Sequence, residues 1–167
     1  MAAGQDGSCA VVRVLELHTD SHPEALGEAR RRVFEAMTRT GLFVDAARNM
    51  EIAVGEALSN IYRHAYADGI GPVCVEVSTG AGAVIVLVRD EGTATEPPLI
   101  PRRLPSRSNV DGRGLYLISR LADDVTVSLN QTGHGVTVRM TAYLEVPVKE
   151  MLRGGGNTAP GIPAGRH

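Results

Sequence analysis

The sequence predicts an α+β chain, a two-layer α/β sandwich in which a mixed, mostly antiparallel sheet carries helices on one face. Three observations point there. Strand-like segments come in pairs joined by short turns, the helix-like segments stand apart from those pairs, and the element order reads β–α–α–β–β–loop–α–β–β.

The elements follow in order. Val11–Leu17 alternates apolar and polar residues with β-branched side chains, which is a strand pattern. Pro23 opens a helix to about Thr38, with Ser21 as its cap, and Leu26, Val33 and Met37 with Ala29 and Ala36 form one apolar stripe ended by Gly41. A second helix starts near Asp45 as N-cap. It places Met50, Val54, Ala57 and Ile61 on one face, and Gly69 supplies its stop. Val73–Ser78 and Ala83–Arg89 are strands joined by hairpin residues 79–82. Residues 90–111 lack periodicity and are rich in proline and arginine; so long a loop in a compact domain is usually functional. Gly112–Leu121 is a short helix opened by two glycines, and Asp124–Leu129 and Val136–Leu144 form a last hairpin.

Composition sets limits. The chain has 167 residues, 43% hydrophobic and 22% charged, with a formal net charge of −2, which reads as a soluble globular protein without the basic character that attracts nucleic acid or anionic membrane. We expect residues 1–8 to be a disordered N-terminus, 9–152 one folded domain, and the Gly/Pro-rich 153–167 a disordered tail. Of the 17 basic residues only Lys149 is a lysine. That excludes a lysine phosphate loop, the strand lysine of the common protein-kinase fold, and Schiff-base chemistry in the body of the chain. Two cysteines, Cys9 and Cys74, are too few for a disulfide framework; Cys74 reads as a small core residue. The five histidines show no close zinc spacing, so no zinc site is expected. Without a signal peptide pattern or a long apolar run, the expected location is the cytoplasm.

Three constellations carry chemistry. Glu56 and Asn60, four apart on the second helix, stack on a face beside the apolar stripe. Asn offers a neutral oxygen to a divalent metal ion, and Glu can orient or deprotonate a hydroxyl; alone, the pair also reads as a solvated helix flank. Asp90 ends the most apolar strand and precedes Gly92, where a carboxylate can accept from an exocyclic amine while Gly lets a flat ring approach; a strand-ending turn uses the same residues. Gly112-Arg113-Gly114 at a helix start exposes backbone N–H groups to an anion, or is a plain N-terminal turn.

Together and in this order, the motifs resemble the GHKL ATP-binding family, which includes gyrase B, Hsp90, histidine kinases and MutL. Glu56-Ala-Leu-Ser-Asn60 resembles its asparagine box, Asp90-Glu-Gly92 its first glycine box, Gly112-Arg113-Gly114-Leu115 its second, and Gly135-Val-Thr137-Val its closing motif. The longer strings Glu56–Tyr66 and Gly112–Ile118 look like the single-domain anti-sigma serine kinases (RsbW type). The resemblance implies a Bergerat ATP-binding fold. It implies Glu56 as general base, Asn60 as Mg²⁺ ligand and Asp90 as adenine partner. Gly92, Gly112, Arg113, Gly114 and Leu115 would serve the lid and phosphates, and Thr137 would sit near adenine. Its implied activity is phosphorylation of a Ser or Thr on an anti-anti-sigma (STAS) partner together with sequestration of a sigma factor, usually as a homodimer, with no direct nucleic-acid or membrane contact. The alternative is a nucleotide-binding or degenerate partner-switching module without kinase activity. It is motivated by Ala94, which stands where the first glycine box has a second Gly and is tolerable only at negative φ. His64 follows Asn60 by one turn and is expected to hydrogen-bond on the helix face; Arg102, Arg103 and Arg107 are either phosphate or partner contacts, or a solvated lid.

Overall fold

In a computed structural model the described residues are 10–67, 69–105 and 112–144. The expectations for residues 1–8 and 153–167, and for Cys9 and Arg107, lie outside them. Among the described residues eight elements appear: β1 (Val12–Asp20), α1 (Pro23–Arg39), α2 (Val44–His64), β2 (Pro72–Gly80), β3 (Ala83–Asp90), α3 (Arg113–Leu121), β4 (Asp124–Leu129) and β5 (Val136–Tyr143). The strands form one sheet of order β1-β2-β3-β5-β4. Among the described residues every pairing is antiparallel, so the sheet they form is not mixed. For two of the four pairings that follows from hairpin connections: β2–β3 is joined by a two-residue turn and β4–β5 by the six-residue segment 130–135, and antiparallel strands are what such short connections allow.

Period-two alternation decides which face is covered. Val73, Val75 and Val77 on β2, Val84, Val86 and Val88 on β3, and Val138 and Met140 on β5 are buried beneath the helices. α2 lies at the centre of the helical layer, touching both α1 and α3. Its buried side is Ala47, Met50, Ala53, Val54, Ala57, Leu58 and Ile61, spaced as a helix face requires. Burying one such side chain as large as Met50 contributes about 1.5–3 kcal/mol of transfer free energy.

Several boundaries differ from the sequence reading. Ser21 does not cap α1. The cap residue is His22, and Ser21 is fully buried, its N–H donating to Gly71 O at 2.9 Å and its Oγ accepting from Gly71 N at 3.0 Å. Pro23 at the helix start has no N–H to satisfy, which lessens the need for a side-chain cap there. Phe43, not Asp45, occupies the N-cap of α2; Asp45 sits in the first turn, where its charge favours the helix dipole. α2 stops at His64, before Gly69. Gly41 does close α1: its φ of +87° is the left-handed conformation that glycine takes just after a helix end. The β2–β3 turn holds Ala81 and Gly82 at φ 51° and 72°, the twist that a two-residue hairpin needs. Cys74 is not a core residue: it faces the uncovered side of the sheet and is half-buried. Among the described residues, no helix is long and apolar enough to cross a membrane.

Candidate functional site

A cleft of about 440 Å³ opens between α2, α3, the ends of β3 and β5, and the segment after β3. That is within the usual range for a small-molecule site. Its walls are mainly apolar (Ala57, Ile61, Ala65, Val88, Leu115, Val136 and Val138) and its polar groups are few: Asn60, His64, Asp90 and Glu96.

Asp90 ends β3 and is only 6% exposed. Its Oδ1 accepts from Gly92 N at 2.8 Å and Val136 N at 3.3 Å. Burial pushes the carboxyl above its usual range, and the two backbone donors act against that shift. The turn after Asp90 is tightly seated. A Cβ on Gly92 would lie 2.4 Å from the carbonyl oxygen of Ala65, so no side chain fits there. Thr93 N donates to that same carbonyl at 3.2 Å, tying the turn to the end of α2.

The asparagine-box pair meets the second glycine box. Glu56 and Asn60 are both half-buried on α2. A Cβ on Gly114 would come 3.0 Å from Asn60 Oδ1 and 3.1 Å from Glu56 Oε2. A carboxylate and an amide oxygen therefore converge on the backbone of the first turn of α3. Gly112, the residue before that helix, has φ +90°, and its carbonyl accepts the first helical bond from Tyr116 N. This is a donor set and a glycine cradle that suit an Mg²⁺-bound phosphate chain: hard oxygens for the cation, and helix-start amides for the anion.

The structure does not treat all predicted residues alike. Asn60, Asp90, Gly112 and Leu115 line the cleft. Gly92, Gly114 and Glu56 adjoin it through the contacts just given. Arg113 is half-buried in the first turn of α3 and is not among the lining residues. Thr137 is not brought to the cleft. β5 alternates, so Val136 and Val138 line the cleft while Thr137 turns to the other face, its hydroxyl donating to Asn130 Oδ1 at 2.7 Å and accepting from Arg89 Nε at 3.2 Å. The position beside Asp90 belongs to Val136. Ala94 lines the cleft too, and its carbonyl accepts from Gly135 N at 2.9 Å. Ala81 is the only non-glycine with positive φ among the described residues, so Ala94 carries its methyl without strain. His64 lines the cleft as well; Arg102 and Arg103 are exposed and stand outside its lining.

Two supporting residues escaped the sequence reading. Tyr66 Oη accepts from Glu91 N at 2.8 Å and donates to Pro72 O at 2.5 Å, bracing the backbone that follows Asp90. Asn130 Nδ2 donates to Asp90 O at 2.6 Å, and Gly135 packs so closely that a Cβ there would lie 2.5 Å from the same oxygen. Tyr66 closes the Glu56–Tyr66 string, a local signal that assigned it no partner. Asn130 reads as a turn residue and Gly135 as the start of the string that resembles the closing motif, and nothing local shows that this turn locks onto the end of β3.

Comparisons with known proteins agree with this geometry. The sequence profile of the histidine kinase-like ATPase domain matches residues 19–142. The chain is 32% identical over 142 residues to the serine-protein kinase RsbW of Bacillus velezensis, covering 80% of this chain and 87% of that protein. It is also 32% identical over 139 residues to the serine-protein kinase RsbW of Bacillus subtilis, covering 78% and 85%. In three dimensions it resembles a crystal structure of the RsbU and RsbW domains of a Mycobacterium tuberculosis protein, with a TM-score of 0.55 at 18% identity over 78% of this chain and 32% of that longer one. The cleft, its two glycine turns and the Glu56–Asn60 pair thus sit in a chain that belongs to the histidine kinase-like ATPase domain family.

Proposed function

We propose that this chain is an ATP- and Mg²⁺-dependent protein-serine/threonine kinase that acts as an anti-sigma factor, phosphorylating an anti-anti-sigma STAS protein and sequestering a sigma factor. The observation that carries the reading is the convergence of Glu56 and Asn60 on Gly114, beside a cleft that Asn60 and buried Asp90 both line. Serine-protein kinases named RsbW, similar over most of their length, support it.

The residues divide the work. Asp90 accepts a hydrogen bond from the exocyclic amine of adenine, with Oδ1 held by Gly92 and Val136 so that the carboxylate is fixed before the ligand arrives. Val88, Val136, Val138 and Leu115 exclude water around the ring. Gly112 and Gly114 let the triphosphate approach the α3 amides. Asn60 would hold Mg²⁺ through its amide oxygen, and the ion would supply positive charge against the charge that develops on the phosphates in transfer. Glu56 takes the proton from the partner's hydroxyl. The protein works in the cytoplasm as a homodimer on this reading.

The test is direct. The protein is incubated with labelled ATP, Mg²⁺ and the STAS-domain proteins of its own organism. Transfer to a Ser or Thr of one of them, and release of a sigma factor on addition of the unphosphorylated partner, are expected. ATP binding without transfer to any of them would favour the module without kinase activity.

A further inference from the structure

The uncovered face of the sheet carries a cluster that the nucleotide site does not use. β1 and β2 pair with His18 opposite Cys74 and Glu16 opposite Glu76. These are successive rungs on one face, because residues i and i+2 of a strand point the same way. Leu17 between them on β1, and Val73 and Val75 on either side of Cys74, point into the core. His18 Nε2 lies 3.1 Å from Glu16 Oε1. One ligand atom each from Glu16, His18 and Cys74 lie within 4.8 Å of one another. Cys74 Sγ donates to Glu76 Oε1 at 3.9 Å.

We propose that Glu16, His18 and Cys74 form a site for a borderline-soft divalent cation of the zinc class, with Glu76 or a water as the fourth ligand. The donor set chooses the metal. Thiolate and imidazole favour Zn²⁺ and its neighbours, whereas Mg²⁺ and Ca²⁺ take oxygen. Tetrahedral Zn²⁺ with bonds of about 2.0–2.3 Å needs ligand atoms roughly 3.3–3.8 Å apart, so the cluster must close by about 1 Å. Side-chain rotation supplies that closure, since Glu16 and His18 are exposed and the strand ladder beneath them is fixed. Arg13 is the competitor. It pairs with Glu16 and, at 3.6 Å, with Glu76, while Arg89 stands 3.9 Å from Glu76. These arginines keep the carboxylates beside the thiol, and Arg13 gives up Glu16 when the cation enters. As the metal–sulfur bond forms, the thiol proton leaves to solvent. The bound ion would clip the edge strand β1 to β2, on the face opposite the nucleotide cleft.

The full chain is titrated with Co²⁺, then Zn²⁺, against a chromophoric chelator, and its absorption is recorded. One Co²⁺ per chain with a thiolate charge-transfer band, displaced by Zn²⁺ and unmoved by excess Mg²⁺, is expected. Cys74→Ser and His18→Gln each lose the band, Cys9→Ser keeps it, and Arg13→Ala binds more tightly because Glu16 is released. Melting curves and circular dichroism like those of the parent chain establish that the variants are folded; should Cys74→Ser unfold, Cys74→Ala takes its place. Absence of the band, its survival in the Cys74 variant, its loss in Cys9→Ser, or Co²⁺ binding unchanged by all of these substitutions overturns the site.

Discussion

The two faces of the sheet are made by the same strands and have opposite fates. On the covered face, Val75, Val77, Val86, Val88 and Met140 are fully buried under three helices. On the other, Glu16, His18, Cys74, Glu76, Arg89, Thr137 and Arg139 form ion pairs and hydrogen bonds, some along one strand and some between strands, that remain partly in water. The covered face gives stability through area and, where the helical layer parts beyond β3 and β5, gives a cleft with mainly apolar walls. The open face gives polar side chains at fixed spacings, which is what ligation requires. A one-residue step along β5, from Val136 to Thr137, crosses from one role to the other.

Substitutions can break or sharpen that contrast. The largest effect is expected from Met140→Ala, which removes a fully buried side chain and should cost about 2–5 kcal/mol in chemical denaturation. Arg139→Ala, one residue away on the open face and paired with Asp124 at 3.8 Å, should change stability by no more than about 0.5 kcal/mol. Equal losses would remove the distinction. Next comes Asp90→Asn. The amide oxygen can still accept from Gly92 and Val136, but its NH₂ opposes the adenine amine, so ATP affinity should fall by roughly 10–100-fold, about 1.4–2.8 kcal/mol, with little change in melting temperature. A calorimetric titration that gave parental affinity would remove Asp90 from adenine recognition.

The same carboxyl gives a pH signature. Burial raises its pKa, so between the ordinary and the raised value the folded chain binds more protons than the unfolded one. Stability therefore falls as pH rises through that window, and Asp90→Asn flattens the slope. ATP affinity runs the other way: the accepting carboxylate is lost as pH falls through the raised value, so binding weakens at a higher pH than for an ordinary aspartate. Denaturation and titration series across the acid range check both signs. The smallest effect is expected from Thr137→Val, which acts on the open face and should leave the ATP dissociation constant within about twofold.

The covered face and most of the cleft were legible in the sequence because their signals are local. Helical spacing placed Met50, Val54, Ala57 and Ile61, and the same periodicity set Glu56 and Asn60 side by side. The glycine boxes were readable because a positive φ or a close approach demands glycine, as at Gly112 and Gly92. Thr137 was placed at the wrong face, since a motif match fixes a position only to within a residue, and on a strand one residue is a change of side. The caps at Ser21 and Asp45 failed where tertiary contacts or a first-turn role claimed the residue instead. His18 and Cys74 could not be joined at all: their meeting depends on the register of β1 against β2, which a search for close histidine spacing does not see.

In the proposed function Glu56 acts in proton transfer while Asn60, Asp90 and the glycine turns bind the nucleotide. Glu56→Gln keeps the size and polarity of that side chain and removes its basicity. Measured together on this variant, Mg²⁺-ATP affinity should stay within a few-fold of the parent chain, while the rate of phosphate transfer to the STAS partner falls by about 10²–10⁴-fold. Transfer at the parental rate would contradict the account.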